Sequence, residues 1–516
     1  MNVFYEDYKP LRNHLRKLNV EDSFYVVWNY FYYLQFNKIL SNDIDIPIVL
    51  LNEKECKEKF CSRWELELLT REVLLNADYT SYVNKTLRKA NYFAGAINKI
   101  KSLDSRIAEK FLNTNNIKNE ILRIGYRQFP WQVIPNGEYF MRYYKIFNRR
   151  FFDKIFLETF NITIREFYLI SMLLFGFFSK NVAAKIPITG IDIIENKKID
   201  LFLDRFSIDI LALRDRIKRQ CHYDDRFFYT FFPLRAFPIV NMDYGGEECL
   251  VCPIPTLLFW QITDGIYYKI IDYGKEIKKK GEQKEFFGKF GNLLGESFED
   301  YIGEINKKVC KNNLKYKKAD EYFVGKDRKD SVDWLIMDKK AIIFLECKTK
   351  RINFLAKTEL LSEKYLEDEF EKMAEYVIQV YKNIEDYKNN RYLNLRYEKN
   401  KKIFPIILTL EKWYFFDKIA KLDELITLKM RKSRLNDSYI KDYPYSICSS
   451  DEFEKMIQII EKNGIDNFLS NKLNDTEKRL WDYTSFMKNE FEEDYKKTKN
   501  IFEEEYKALF DLKRYI

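Results

Sequence analysis

Several familiar signals are missing from this chain of 516 residues. No Gly-x-x-x-x-Gly-Lys loop occurs, so ATP use is not suggested. The longest apolar stretch, Phe167 to Phe178, is about 12 residues, whereas a membrane span needs about 20. It reads as a buried core helix. The eight cysteines, at 56, 61, 221, 249, 252, 310, 347 and 448, form no dense disulfide framework. Nothing like a signal peptide is read in Met1-Asn2-Val3-Phe4-Tyr5-Glu6-Asp7, and a reducing cytoplasm is the expectation. There are only two histidines. Cys249-x-x-Cys252 is therefore at most half a zinc site, with His222 the only histidine nearby and no second cysteine pair. Packing of both thiols in a strand is the preferred reading. No internal repeat is apparent.

What is present is a large apolar share and a modest excess of positive charge. The hydrophobic fraction of 46% is ample for real cores, and the length suggests two or three domains. The net charge of +9 is compatible with a polyanionic partner. Richness in Lys, Asn, Ile, Tyr and Phe is also what an AT-rich genome encodes. Coding bias therefore accounts for part of the lysine, for the 17% aromatic content and for the scarcity of histidine.

The most informative stretch is residues 331–350. Val332-Asp333-Trp334-Leu335-Ile336-Met337 reads as a strand, Asp338-Lys339-Lys340 as a turn, and Ala341-Ile342-Ile343-Phe344-Leu345 as a strand buried on both faces. The second strand ends in Glu346-Cys347-Lys348. Residues two apart share a face of a strand, so Glu346 and Lys348 point together and Cys347 points the other way. Antiparallel pairing across the turn brings Asp333 beside Glu346. Two adjacent carboxylates repel and raise a pKa. A bound Mg²⁺ relieves that conflict, being a hard ion that takes oxygen ligands. It also polarises a phosphoryl oxygen and acidifies an attacking water, with Lys348 placed to orient that water or to stabilise phosphate charge. The tripeptide alone says little, because Glu55-Cys56-Lys57 repeats it without a hairpin leading into it. The alternative for Asp333, Glu346 and Lys348 is a charged strand end on an ordinary hairpin.

Residues 284–308 place Phe287, Phe290, Leu294, Phe298, Tyr301 and Ile305 at steps of three and four, which predicts an amphipathic helix. A second stripe holds Gly288, Gly291, Gly295, Glu299 and Gly303. Each helical glycine costs about 1 kcal/mol relative to alanine, so close approach of another surface is the expected compensation. Glu299 would then face that surface. An ordinary solvated glutamate is the alternative.

The order is thus a helix with Glu299, a strand to Val324, the hairpin with Asp333 and Glu346-Cys347-Lys348, and more helix. This resembles the PD-(D/E)xK nuclease superfamily over roughly residues 283–420, with Val332 where the signature has proline. The resemblance implies a restriction-endonuclease-like core, a mixed sheet flanked by helices. It implies that Asp333 and Glu346 bind Mg²⁺ or Mn²⁺, that the backbone carbonyl of Cys347 completes the metal site, and that Lys348 is catalytic. Glu299 matches the acid of the first helix, and Gln379 matches a glutamine often carried on a later helix. It implies a metal-dependent endonuclease, with DNA favoured over RNA as partner. Restriction of foreign DNA, as antiviral defence in a bacterium, would suit a large accessory domain. A homodimer or a regulatory protein partner is compatible with it, and a membrane partner is not expected. The alternative function is a catalytically inactive nucleic-acid-binding or scaffold protein on the same fold.

The expected fold class is multidomain α+β. Residues 1–275 read as a mainly helical accessory or recognition domain with a β-hairpin near 227–254. Residues 276–450 read as the nuclease-like domain, and 451–516 as a helical C-terminal extension. Phe24 to Phe36, Ile107 to Ile124 and Phe147 to Phe160 have helical spacing, and their aromatics read as core rather than as base-stacking platforms. Arg149-Arg150 and Arg214 to Arg219 read as solvated faces. Phe227 to Val240 reads as strand with Arg235 paired or half buried, Tyr244-Gly245-Gly246 as a turn, and Glu248 to Ile254 as the return. A helix is expected from Pro255 to Ile271, and Gly274 to Lys284 reads as the linker. Lys357 to Asn389 reads as helix, and Ile403 to Leu410 as a strand parallel to 341–348. Tyr445 to Cys448 reads as a last strand, and helix is expected from a cap at Ser450 to the end.

Overall fold

The computed structural model describes residues 3–36, 41–45, 60–79, 85–188 and 194–509. The repeated tripeptide Glu55-Cys56-Lys57 lies outside them. The protein is a multidomain α+β chain with a helical N-terminal region, mixed sheets and C-terminal helices. It forms two compact units, residues 1–136 with 150–285, and residues 137–149 with 286–516.

In the first unit the aromatic stripes are core. Helix Val20–Phe36 buries Phe24, Tyr30, Phe31 and Tyr33. Tyr30 stacks on Phe93 at 3.8 Å between ring centroids. The apolar stretch lies in helix Ile164–Phe178, opened by a capping box in which Thr163 and Glu166 satisfy each other's backbone amides. Among the described residues no single helix is long and apolar enough to cross a membrane. A four-stranded sheet has the order β1-β4-β3-β2, from β1 (Ala183–Lys185), β2 (Ser207–Asp209), β3 (Ile239–Tyr244) and β4 (Glu247–Val251).

Several expected elements need correction here. Phe227 to Val240 is two 3₁₀ turns, Phe227–Tyr229 and Pro233–Arg235, and the strand starts only at Ile239. Pro233 and Pro238 offer no N–H to a ladder, which delays pairing until both are passed. Gly245 and Gly246, at φ +69° and +82°, make the tight turn into β4. Arg235 is paired, its Nη2 lying 2.6 Å from Glu67 Oε2. Cys249 and Cys252 are buried, and burial pushes both thiols up. The expected 255–271 helix breaks into Pro255–Gln261 and Gly265–Ile277. Gly274 lies inside the latter, and helix Lys280–Val309 begins three residues after it ends. The polar stretch Gly274 to Lys284 is therefore mostly helical, and the units divide at 285/286 rather than at 275/276.

The second unit is built on a five-stranded sheet of order β11-β10-β9-β8-β5. Its strands are β5 (Lys315–Lys318), β8 (Trp334–Met337), β9 (Ala341–Lys348), β10 (Lys402–Thr409) and β11 (Ser446–Ser449). A separate ribbon pairs β6 (Tyr322–Val324) with β7 (Asp327–Lys329). The expected strand to Val324 is thus two short strands. β9 is antiparallel to β8 and parallel to β10, and β10 is parallel to β11. The long helix Lys364–Lys388 supplies the crossover from β9 to β10. Helix Ser450–Asn463 is capped by Ser449, one residue before the expected cap, with Glu452 closing the box. Gly464, at φ +85°, ends it, and shorter helices replace the expected continuous one. Residues 451–509 belong to the same compact unit as the sheet.

The segment 137–149 joins this unit through a buried ion pair. Arg142 donates to both oxygens of Glu454 at 2.6 and 3.0 Å, and the Tyr301 hydroxyl donates to Glu454 at 2.7 Å. All three side chains are buried. Arg149 pairs with Glu304 at 2.6 Å, whereas its neighbour Arg150 is exposed. Removing one partner of a buried pair leaves an uncompensated charge, at a cost of roughly 3–5 kcal/mol. Glu454→Gln is therefore expected to lower the Tm by about 10 °C in a unit of this size. A thermal melt within a degree or two of wild type would show that the pair does not hold the segment.

Candidate functional site

The sheet's geometry starts from the turn. Asp338 Oδ1 accepts from the amides of Lys340 and Ala341 at 2.7 and 2.8 Å, which closes the β8–β9 hairpin. The register follows, with Met337 opposite Ile342 and Trp334 opposite Leu345. Asp333 is one residue beyond the last pair, on the same end as Glu346. β9 runs between β8 and β10, and Ala341 to Cys347 are all buried. A glutamate at the end of such a strand is buried with it, and Glu346 is only 2% exposed.

The sequence-predicted residues meet at this end of the sheet. Asp333 Oδ2 accepts from the Cys347 amide at 2.6 Å. Lys348 Nζ lies 2.5 Å from Glu346 Oε1 and 3.5 Å from Gln379 Oε1. The second oxygen of Glu346 is buried and has no hydrogen-bond partner. The Cys347 side chain is buried, and its thiol is pushed up by burial. Gln379 comes from the crossover helix Lys364–Lys388. Glu299 belongs to helix Lys280–Val309, where it pairs with Lys318 of β5 at 3.2 Å.

Trp334 fixes Glu299 relative to the hairpin. Its indole N–H donates to the Glu299 carbonyl at 3.2 Å. Its ring occupies the space over Gly303, where a Cβ would come within 2.6 Å of a ring carbon. The glycine stripe is therefore explained only at this position. Added Cβ atoms at Gly288, Gly291 and Gly295 would meet nothing within 4 Å. Those three do not mark a close approach.

Two residues at the site were not anticipated. Tyr376 lies one turn before Gln379 on the same helix, and its ring centroid is 4.9 Å from Lys348 Nζ. The three-residue spacing from Gln379 was the available signal. Lys318 is the other, and short β5 gives no sequence cue to its pairing with Glu299.

The electrostatics follow from burial. Asp333 is raised to about 8, first by burial and then by the charges of Glu346 and Glu299, against the Cys347 amide and Lys348. Glu346 is also raised, by burial and by Glu299, with Lys348 and Gln379 opposing. Lys348 is raised, because the carboxylates outweigh the burial that alone would lower it. The site thus holds a proton at neutral pH that an isolated aspartate would have released.

No group of three or more His, Cys, Asp or Glu side chains among the described residues converges into a cage for an ion. Magnesium does not require one. It keeps several waters and is commonly held through one or two carboxylates. Asp333 and Glu346, with one orphaned buried oxygen and a retained proton, fit such a hard cation. Compared with protein-family models, with curated proteins and with solved structures, the chain gives no match.

A raised carboxyl pKa has a definite sign for stability. Folded, Asp333 keeps its proton up to about pH 8, whereas the unperturbed value is 3.8. The folded state binds more protons between these values, so metal-free stability is lost as pH rises through them. Asp333→Asn removes the charge and keeps an acceptor for the Cys347 amide. Without metal, its Tm is expected to exceed wild type by several degrees at pH 9, with the difference shrinking as pH falls and vanishing only near pH 4 and below. Two melting curves that run parallel at every pH would exclude the proposed carboxylate conflict.

Proposed function

We propose that the protein is a metal-dependent nuclease that hydrolyses phosphodiester bonds, with DNA the favoured substrate. The observation that carries this reading is the meeting of Asp333, Glu346, Lys348 and Gln379 at one end of a mixed sheet, where burial and the neighbouring acids hold Asp333 above the usual carboxylate range. Asp333 and Glu346 would hold Mg²⁺ or Mn²⁺, together with the backbone carbonyl of Cys347. The bound cation would supply Lewis acidity and an acidified water. Lys348, already cationic and held by Glu346, is placed to orient that water or to neutralise phosphate charge. Gln379 and Tyr376 fix the ammonium in position. Glu299 contributes negative charge beside the pair, which favours cation uptake.

The resemblance to the PD-(D/E)xK nucleases is part of the proposal, and a mixed sheet with the acids at one end supports it. Restriction of foreign DNA in a bacterial cytoplasm is the setting in which such an enzyme with a large helical accessory unit makes sense. The free thiols at Cys61, Cys221, Cys249, Cys252, Cys310, Cys347 and Cys448 support a reducing compartment.

The test is a cleavage assay on supercoiled plasmid, linear duplex, single-stranded DNA and RNA, each with Mg²⁺, Mn²⁺ or EDTA. Cleavage that requires the metal is expected. Lys348→Ala should slow it by roughly 10²–10⁴-fold, the range for loss of a positioned acid–base group, and Asp333→Ala should abolish it. If no substrate is cut under either metal while nucleic acid is still bound, the inactive binding protein becomes the better reading.

A further inference from the structure

Residues 305–319 hold six lysines and no acid, and no step of the proposed hydrolysis uses this charge run. It covers the end of helix Lys280–Val309 and continues through β5, the edge strand of the five-stranded sheet. Its path is fixed. The amides of Asn312, Asn313 and Leu314 all donate to the Glu461 carboxylate, at 2.8, 3.0 and 3.1 Å. The Asn313 side chain donates to the Glu461 carbonyl at 2.8 Å. β5 then pairs with β8, from Lys315 opposite Met337 to Lys318 opposite Trp334. Lys318 therefore lies at the end of the sheet that carries Asp333, and it meets Glu299 there at 3.2 Å. Lys315 lies about 10 Å back along the same strand.

The lysines divide by partner. Lys308 pairs with Glu505, Lys317 with Asp320 and Lys318 with Glu299. Lys307, Lys311 and Lys315 are exposed, and among the described residues none of the three has an acidic partner. The acids close by are engaged elsewhere, Glu461 by the three amides and Glu304 by Lys145 and Arg149. Lysine on an edge strand keeps other chains from pairing with it, and lysine in a last helical turn complements the helix dipole. Those roles account for Lys315 and Lys307 taken singly. They do not account for Lys311, which lies in the connecting turn, or for a run without any counter-acid. Three uncompensated cations thus stand on a fixed edge that leads to the acids of the candidate site.

We propose that this edge is a docking track for the phosphate backbone of duplex DNA, in which Lys307, Lys311 and Lys315 hold phosphates flanking the one at Asp333 and Glu346. Phosphates of one strand follow at about 3.4 Å along the duplex axis, so a reach of about 10 Å puts the first contact about three nucleotides from the cut. Ammonium groups meet phosphates as point charges, and such contacts position a duplex without reading its sequence. This rests on the nuclease reading, and it names the substrate of that site as a polymer extending several nucleotides beyond the scissile bond.

The experiment measures binding of a short DNA duplex by fluorescence anisotropy in EDTA over a range of salt concentrations. One variant carries Lys307→Gln, Lys311→Gln and Lys315→Gln together. A control loses the same charge outside the track, through Lys399→Gln, Lys432→Gln and Lys441→Gln, all exposed positions. Loss of three phosphate contacts is expected to lower the salt slope by about 2.7, or about 0.9 for each contact, and to weaken binding at least about tenfold near 0.1 M salt. The control should keep the wild-type slope, and arginine at the three track positions should restore it. Thermal melts should match wild type, since the changed side chains are exposed. A wild-type slope in the track variant would overturn the proposal, as would an equal fall in the control. The two readings fail separately. If the slope falls as expected but the wild type cuts nothing in Mg²⁺, the track stands and the nuclease falls. If the wild type cuts and the track variant cuts the duplex with the same KM, the nuclease stands and the track falls. A wild type that binds no nucleic acid overturns both.

Discussion

Two carboxyl groups at the buried end of one sheet cannot both ionise unless a cation compensates them. Asp333 and Glu346 stand in that relation, and much of the second unit is arranged to keep it. The Asp338 turn sets the register that brings them together. Burial of β9 denies Glu346 the solvent that would relax it. Lys348 supplies one compensating charge at 2.5 Å, and a retained proton supplies the other. Trp334, seated on Gly303, holds a third acid, Glu299, near enough to sharpen the conflict.

Such an arrangement is costly for stability alone. A buried carboxylate oxygen without a partner forfeits its hydration, and a purely structural strand end would be better served by an apolar residue. Local costs of this kind are expected where chemistry needs them. On the proposed reading, half-buried Lys348 and Gln379 line the buried Glu346 where a hard cation would be held.

The hairpin was legible because its signals are local. A short apolar run, a turn and an alternation of period two fix which side chains share a face, and the Glu346–Lys348 pair follows from that alone. The parallel pairing of β10 with β9 was legible for a similar reason, since a helix of crossover length separates two apolar runs. The failures were where distant residues decide. Nothing near Arg142 announces Glu454, so residues 137–149 read as part of the first unit. The glycine stripe read as one contact surface, yet only Gly303 meets a ring, because Trp334 reaches only that far along the helix. Phe227 to Val240 has the composition of a strand, but two prolines hold it in turns. Lys318 and Tyr376 were missed because each matters only through a partner on another element.

The most direct test of the carboxylate pair is the proton count on metal binding. Calorimetric titration of wild type with Mn²⁺, in buffers of different ionisation enthalpy, measures it. Displacement of the proton on Asp333 predicts release of about one proton per ion at pH 7, falling toward none by pH 9. Asp333→Asn should bind weakly or not at all. Binding with no proton released at pH 7, or binding unaffected by Asp333→Asn, would contradict the assignment of this site as a cation-dependent centre.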